Sequence, residues 1–447
     1  MISHSKWTTV DIGSLALGIF DGPHATPKKT EAGPVFLGIW NLSKGRLDLS
    51  ATEHLSENDF HKWTRRVVPQ SGDLVFSYET RLGEAALIPM GLKCCLGRRM
   101  GLIRPNTERV DPRFLLYAFL SPDFQETIRS RTIPGSTVER IALTEFPHFP
   151  IRVPALTEQQ VIARLLGALD DKIELNRQMN GTLETMARLV FKSWFVDFDP
   201  VVTKAAGRKL SGMDATTTAL FPDRFIDSDL GPIPEGWRTE ALGRFVDLVA
   251  GKSYGSKDLQ ESTTALVTLK SFNRGGGFRP DGLKPYTGYF KRAQVLVPGE
   301  IIVARTDITQ AAEVIGRAAL VKGNPRYKTL VASLDVLIVR PQSDAVTVPF
   351  LYCLMRTPEY EDHIVGHANG TTVLHLSKEG VPSYRFVLPP NALVKRFSEI
   401  ADALLEEVDL NEQECRSLSN LRDTLIPKLL SGEIRLRQAE KIIGEAI

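Results

Sequence analysis

Gly135-Ser136-Thr137-Val138 and Gly370-Thr371-Thr372-Val373 are one loop written twice, 235 positions apart. The correspondence continues without a gap: Pro147 meets Pro382, Pro154 meets Pro389, Leu169 meets Leu404, Asn176 meets Asn411 and Leu183 meets Leu418. Each copy passes from a Gly-Ser/Thr loop through a strand-like segment into one long helix. A fainter echo lies upstream at an offset of 230, where Trp7-Thr8-Thr9 and Gly13 match Trp237-Arg238-Thr239 and Gly243. Two copies of one domain-plus-helix unit in a single chain make a pseudo-dimer, which suits a ligand that itself has two halves.

The helical part of the repeat is defined by its spacing. Ile162, Leu165, Leu169, Ile173, Asn176, Asn180, Leu183, Ala187, Val190 and Trp194 advance by three or four residues. Phe397, Ile400, Leu404, Val408, Asn411, Cys415, Leu418, Leu425 and Leu429 keep the same phase in the second copy. That is a coiled-coil seam. Thr157 and Gln160, just after Pro154, suit a capping box at its start. A helix with such a stripe needs a partner in water, and each helix is the obvious partner of the other. About 39 residues give a rod of roughly 58 Å. Antiparallel pairing would set one globular domain at each end, with pseudo-twofold symmetry. Asn176 and Asn411 then either meet at the crossing, where a buried pair fixes register, or face solvent.

The fold class expected is α+β: two similar mixed α/β domains separated by two long helices in an antiparallel coiled coil. The first domain spans 1–153 and the second 236–388. The helical segments are 154–200 and 389–447, the latter with a tail, and 201–235 reads as a linker from its Gly, Ser, Thr and Pro content. Within the first domain, Leu74–Tyr78 and Ala85–Ile88 read as strands and Phe114–Leu120 and Phe124–Ile128 as helices. Ile301–Ala304, Ala318-Ala319 and Leu351-Tyr352 answer them in the second.

Charge follows the same division. Residues 1–153 hold 19 Lys+Arg against 16 Asp+Glu, and residues 236–388 hold 19 against 14. The helical segments run the other way, 5 against 7 in 154–200 and 8 against 11 in 389–447. Basic globular domains favour a polyanion, since neutralising phosphates releases counterions. No charged-then-apolar leader follows Met1, and no apolar run nears the ~20 residues of a membrane span. The four cysteines form neither a CxxC pair nor a zinc-ligand spacing. A cytoplasmic protein with reduced thiols is expected.

Catalytic signatures are missing. The chain has no GxxxxGK[ST], GxSxG, HExxH or GxGxxG motif, and Pro389-Pro390-Asn391 is in the wrong order for an amino-methyltransferase tetrapeptide. His363 and His367 have the spacing of two metal ligands but lack an evident third, so no metal is expected. Side chains suited to DNA are more evident. Ser77, Tyr78 and Arg81 follow a strand, and Arg305 and Thr306 follow its counterpart. Arg reads guanine bidentately, and Ser/Thr contact bases or phosphates. Lys28, Lys29, Arg98, Arg99 and Arg274 are candidates for the DNA backbone. Ser136, Thr137, Thr371 and Thr372 offer hydroxyls and backbone N–H groups in a tight turn. Matching positions favour the pairs Arg81/Arg305 and Thr137/Thr372. The cluster Phe191, Trp194, Phe195 and Phe198 reads as core or as a partner surface.

Longer motifs carry a family resemblance. Leu169-Asp170-Asp171-Lys172-Ile173 with Asn176, and Phe191-Lys-Ser-Trp-Phe-Val-Asp-Phe-Asp-Pro200, resemble the central conserved region of Type I restriction-modification specificity subunits. Leu220-Phe221-Pro222 through Gly231-Pro-Ile-Pro-Glu-Gly-Trp237 resembles the approach to their second target-recognition domain. Ile19-Phe-Asp-Gly-Pro-His-Ala-Thr-Pro27 resembles an opening loop of the target domain. Leu421-Arg-Asp-Thr-Leu-Ile-Pro-Lys-Leu-Leu-Ser-Gly-Glu-Ile434 resembles their distal conserved region. The resemblance implies a non-catalytic subunit whose two target-recognition domains each read half of a bipartite, asymmetric site in double-stranded DNA. It implies helices that set the spacer and dock two modification (methyltransferase) subunits, with two restriction (translocase/nuclease) subunits joining them. S-adenosylmethionine, ATP and Mg would reside on those partners and no cofactor on this chain. A protein-binding coiled-coil scaffold and a self-contained methyltransferase or nuclease are the competing readings.

Overall fold

The computed structural model describes residues 7–49, 52–133, 138–308 and 311–447. The chain divides into two compact units, residues 1–177 with 412–447 and residues 178–411. The division falls inside the two long helices, Leu156–Phe195 and Asn391–Ser431.

The first unit is built on an antiparallel sheet with strand order Ala16–Asp21, Met100–Pro105, Leu74–Ser77, Ala85–Leu87. Both of its faces are covered, which is why Leu74-Val75-Phe76-Ser77 is buried throughout rather than alternating. Leu74 and Phe76 point into a core shared with Phe114, Phe119, Phe124 and Phe146. Val75 and Leu102 point the other way, toward Leu37, Cys94 and Leu96. The helices Pro112–Leu120 and Pro122–Ser130 cover the first face. Each begins at a capped residue followed by proline, Asp111 accepting from Phe114 N and Ser121 from Phe124 N. A three-stranded sheet covers the second face, with Lys29–Leu37 and Cys94–Leu96 running parallel.

The second unit repeats this plan on different residues. Its sheet order is Val246–Ala250, Val336–Pro341, Ile301–Ala304, Ala318–Leu320. The helices Val348–Leu354 and Pro358–Gly366 start from Thr347 and Thr357 caps. Its second sheet again holds a parallel pair, Thr264–Val267 with Thr329–Ala332. An arginine braces the same place in both copies. Arg104 binds Asp73 with Nε at 3.0 Å and Nη2 at 2.8 Å, and donates to Val68 O. Arg340 Nε binds Glu300 at 2.6 Å, and its terminal nitrogens donate to Ala293 O and Val295 O. The glycine–proline correspondence also has a steric cause. A Cβ on Gly13 would lie 2.8 Å from Pro147 Cβ, and one on Gly243 would lie 2.6 Å from Pro382 Cβ.

Within each unit the helical segments run antiparallel. In the first, Cys415 Sγ lies 3.5 Å from Ile173 O and Arg422 Nη1 lies 2.6 Å from Asp170 Oδ1. Ile162, Leu165, Leu169 and Ile173 share a core with Leu418 and Leu425. In the second, Ala187, Phe191 and Trp194 pack with Leu393, Phe397 and Ala401, and Ile400 and Leu404 join from its edge. Val408 is buried and Leu183 half-buried. The asparagines follow neither expected course. Both are buried, but Asn176 Nδ2 donates to Glu414 and Asn411 Nδ2 donates to Asn180 Oδ1 at 2.9 Å. A one-turn offset gives each a different partner from the one the repeat suggests.

The stretch 201–235 is not a bare linker. It holds the helix Ala215–Ala219, most of the helix Asp199–Ala205, and the hairpin of Phe225–Ser228 with Gly231–Pro234. Val201 and Phe221 are buried with Trp194 and Trp237, and Arg396 grips Thr217 Oγ1 at 2.9 Å. Its composition hid this, because the elements are short and use Asp214 as a cap rather than an apolar period. The aromatic cluster closing the first long helix is core: Phe191, Trp194 and Phe195 pack on Phe350 and Phe397. No helix among the described residues is long and apolar enough to cross a membrane.

Candidate nucleic-acid interface

The sheet register gives each unit two distinct ends. In the first, Leu74 sits opposite Ile103 and Ser77 opposite Met100. The Ile103 end leads through Arg109 to the long helix, where Gln159 donates to Arg109 O and Pro154 O and accepts from Asp111 N. Gln159, not Gln160, therefore secures the start of that helix. The Met100 end carries the loops after Asp21, after Ser77 and before Met100. Ile141 N donates to Tyr78 O, which adds the segment from Val138 onward.

Cations collect at this end. Arg66 pairs with Asp21. Arg99, in left-handed backbone at φ 67°, reaches Glu79 at 3.0 Å and Thr80 Oγ1 at 3.2 Å. Arg140 is exposed beside Glu79 through a backbone bridge. Arg98 is exposed and, among the described residues, meets no carboxylate at ion-pair distance.

Other expected contacts lie elsewhere. Ser77 and Tyr78 are core residues, which removes them from the DNA-facing set. Ser77 Oγ donates to Glu79 O at 2.7 Å. Tyr78 is 4% exposed with no partner for its hydroxyl, and burial, aided by the charges of Asp21 and Glu79, pushes the phenol up to about 12. Sequence alternation could not reveal this, since the sheet is covered on both faces. Arg81 is held by Ile39 O and Glu84. Lys28 is exposed, and Lys29 pairs with Glu53. Ser136 and Thr137 lie outside the described residues. Arg66 and Arg140 were missed because long-range strand register, not a local motif, brings them to this end.

Three hydrogen bonds align the second unit with the first. Arg305 N donates to Asp335 O as Tyr78 N does to Arg99 O, and Leu376 N donates to Arg305 O as Ile141 N does to Tyr78 O. Gly251 N donates to Val336 O as Gly22 N does to Met100 O. The structural counterpart of Arg305 is therefore Tyr78, and the Arg81/Arg305 pairing is corrected. The three-residue loop offset escaped a repeat matched on side-chain type. Arg305 is half-exposed, whereas Thr306 is buried and donates to Asp335 Oδ1 at 3.0 Å. Thr371 and Thr372 are exposed between Ala368–Asn369 and Leu374–Leu376, whose latter strand pairs with Thr306-Asp307. Arg274 pairs with Glu313 at 3.3 Å.

Each unit thus presents guanidinium and hydroxyl groups at one sheet end, on backbone fixed by strand hydrogen bonds. Such an edge can donate to phosphates and base edges. The His363 and His367 rings lie with centres 4.2 Å apart, tilted by 34°, with His363 Nε2 on Gly380 O and His367 Nδ1 on His363 O. Burial lowers the His363 pKa, and no group of three metal-ligating side chains occurs among the described residues.

Residues 50–185 match the family model described as the Type I restriction modification DNA specificity domain. The chain is 25% identical over 382 residues to the Type I restriction enzyme HindI specificity subunit of Haemophilus influenzae, covering 74% of this chain and 80% of that one. It is 24% identical over 393 residues to the MjaIX specificity subunit of Methanocaldococcus jannaschii, covering 86% and 82%. The crystal structure of a Type I restriction-modification S subunit from M. genitalium aligns over 96% of this chain and 97% of that one, at 16% identity and a TM-score of 0.49. In the matched domain and over most of its length, the chain is similar to the specificity subunits of Type I restriction-modification systems.

Proposed function

We propose that this chain is the non-catalytic DNA-reading subunit of a Type I complex, each unit reading one half of a bipartite, asymmetric site. The observation that carries this reading is the repeated sheet whose corresponding end holds different side chains in the two copies. Where the first has Arg99 the second has Asp335, and the half-exposed Arg305 of the second stands where the first has the buried Tyr78. One scaffold with two sets of edge residues suits two different half-sites. Arg98, Arg99, Arg66 and Arg140 are the reading candidates in the first unit, and Arg305, Thr371 and Thr372 in the second. The long helices set the spacer and dock two modification subunits. Those bring S-adenosylmethionine and methylate adenine, and two restriction subunits add ATP- and Mg-dependent translocation and cleavage. In this reading the subunit works in the cytoplasm.

The test is a methylome. The chain is co-expressed with its modification subunit in a methylation-free host, co-purification is checked, and methyladenine is mapped by sequencing. A gapped, asymmetric motif with one methylated adenine per strand is expected. A complex that forms but marks no adenine would overturn the reading in favour of a protein scaffold.

A further inference from the structure

The second sheet of the second unit is sealed on its outer face by two segments, 252–259 and 284–292. Tyr254, Leu259, Tyr286 and Phe290 from these segments pack on Leu266 and Val331. The segments are tied together by Thr287 N donating to Asp258 O at 2.9 Å, and by Lys284 Nζ lying 5.7 Å from the Tyr254 ring centre. They carry Lys252, Lys257, Lys284, Lys291 and Arg292 against a single carboxylate, Asp258. That carboxylate already accepts from Gly255 N at 2.9 Å. Among the described residues, none of the five cations has a carboxylate at ion-pair distance. Tyr289 stands among them, 76% exposed.

The first unit covers its corresponding sheet differently. There the helix Glu57–Trp63 packs Phe60 on Phe36, Leu55 and Cys95. Two of its cations are matched by carboxylates: Lys93 pairs with Glu57 at 2.6 Å and Lys29 with Glu53 at 2.5 Å. Lys62 lies over the Trp63 ring and shares the helix with Asp59. The first cover layer pairs most of its charge internally, whereas the second leaves five cations without a carboxylate at ion-pair distance among the described residues.

We infer that the 252–259/284–292 layer of the second unit is a phosphate-holding surface for double-stranded DNA, without a counterpart in the first unit. This deepens the proposed function and rests on it. Unpaired cations on a rigid apolar base release counterions when they meet phosphates, and they position a duplex without reading its sequence. The two domains therefore divide the work unequally. The second supplies a larger share of the salt-dependent grip, and the bases are read at the sheet ends.

The experiment measures binding of the assembled complex with its modification subunit to a duplex, as log affinity against log salt. The variant is Lys257→Gln/Lys291→Gln/Arg292→Gln, whose side chains lie outside the apolar base. Each lost phosphate contact reduces the slope by about 0.9, so the triple variant should lose roughly 2.7 while the methylated motif stays the same. The control Lys62→Gln/Lys93→Gln in the first unit should leave the slope unchanged. Should the triple variant misfold, each single variant carries the test with an expected change of about 0.9. An unchanged slope in a folded variant overturns the inference while sequence reading stands. A wild-type complex that does not bind the duplex would overturn both.

Discussion

The phenol of Tyr117 donates to Asp170 Oδ2 across 2.6 Å, and the other oxygen of that carboxylate takes Arg422 Nη1 at the same distance. The next residue, Asp171, receives a bidentate grip from Arg113, both bonds at 2.9 Å. The Leu169-Asp170-Asp171-Lys172-Ile173 motif thereby joins the helix Pro112–Leu120 to both long helical segments of its unit. Its apolar ends fill the seam and its carboxylates make the joint. Burial first, then the Asp170 charge, holds the Tyr117 phenol far above its ordinary range, so it remains a donor. Tyr117→Phe should cost about 1–2 kcal/mol, and Asp170→Asn more, because Arg422 is largely buried and, of its carboxylate partners among the described residues, keeps Asp423 alone. Denaturant unfolding of the two variants and their double mutant gives the coupling, expected near 1 kcal/mol. Simple additivity would mean that the Tyr117–Asp170 bond contributes nothing.

Leu169 is fully buried between the helical segments of the first unit. Leu169→Asp places a charge in that apolar core, at an expected cost of several kcal/mol. Assembly with the modification subunit should fail or weaken at moderate temperature. Unchanged co-purification and melting would show that the seam tolerates separation at this point.

Asn176 is buried with its Nδ2 bonded to Glu414 and its Oδ1 unpartnered. An unsatisfied buried acceptor costs about 1–3 kcal/mol, and Glu414 retains Lys172 at 3.5 Å. Asn176→Leu should therefore raise the melting temperature. Asn411→Leu should not, since Asn411 donates to Asn180 Oδ1 and its loss strands that oxygen. A fall for Asn176→Leu would show that its contact with Glu414 outweighs the orphaned oxygen.

The two long helices are legible because their apolar period persists over about nine turns and outweighs every local ambiguity. The duplicated domain was legible where geometry constrains residue type, as at Gly13 against Pro147 and Gly243 against Pro382. The interface was much less so. Ser77 looked like a surface hydroxyl because a strand covered on both faces has no alternation to mark its buried side. Residue chemistry matches Arg305 to Arg81, whereas the backbone hydrogen bonds match it to Tyr78. Loop positions follow strand register, which one sequence does not reveal.

All four cysteines are buried. Burial pushes the Cys94, Cys95 and Cys353 thiols up to about 12, and Cys415 is raised by the same cause. Thiolate, the reactive form, is then scarce at neutral or mildly alkaline pH. Thiol titration of the native chain at pH 8 should report almost none, and four after denaturation. Rapid labelling of one cysteine in the native protein would mark a local opening, and the labelled position would identify it.

Exchanging residues 1–153 for the corresponding domain of another family member should change one half of the methylated motif and leave the other intact. The packing adds a condition. The exchanged domain must still offer Arg109 O and Asp111 N to Gln159, a tyrosine to Asp170 and an arginine to Asp171. A donor with those contacts should give a stable hybrid with a new half-site. One without them should give a poorly folded chain, rescued by restoring Tyr117 and Arg113 in the donor. Methylome sequencing of the hybrids decides between outcomes. A motif changed in both halves, or in neither, would mean that the two units do not read DNA independently.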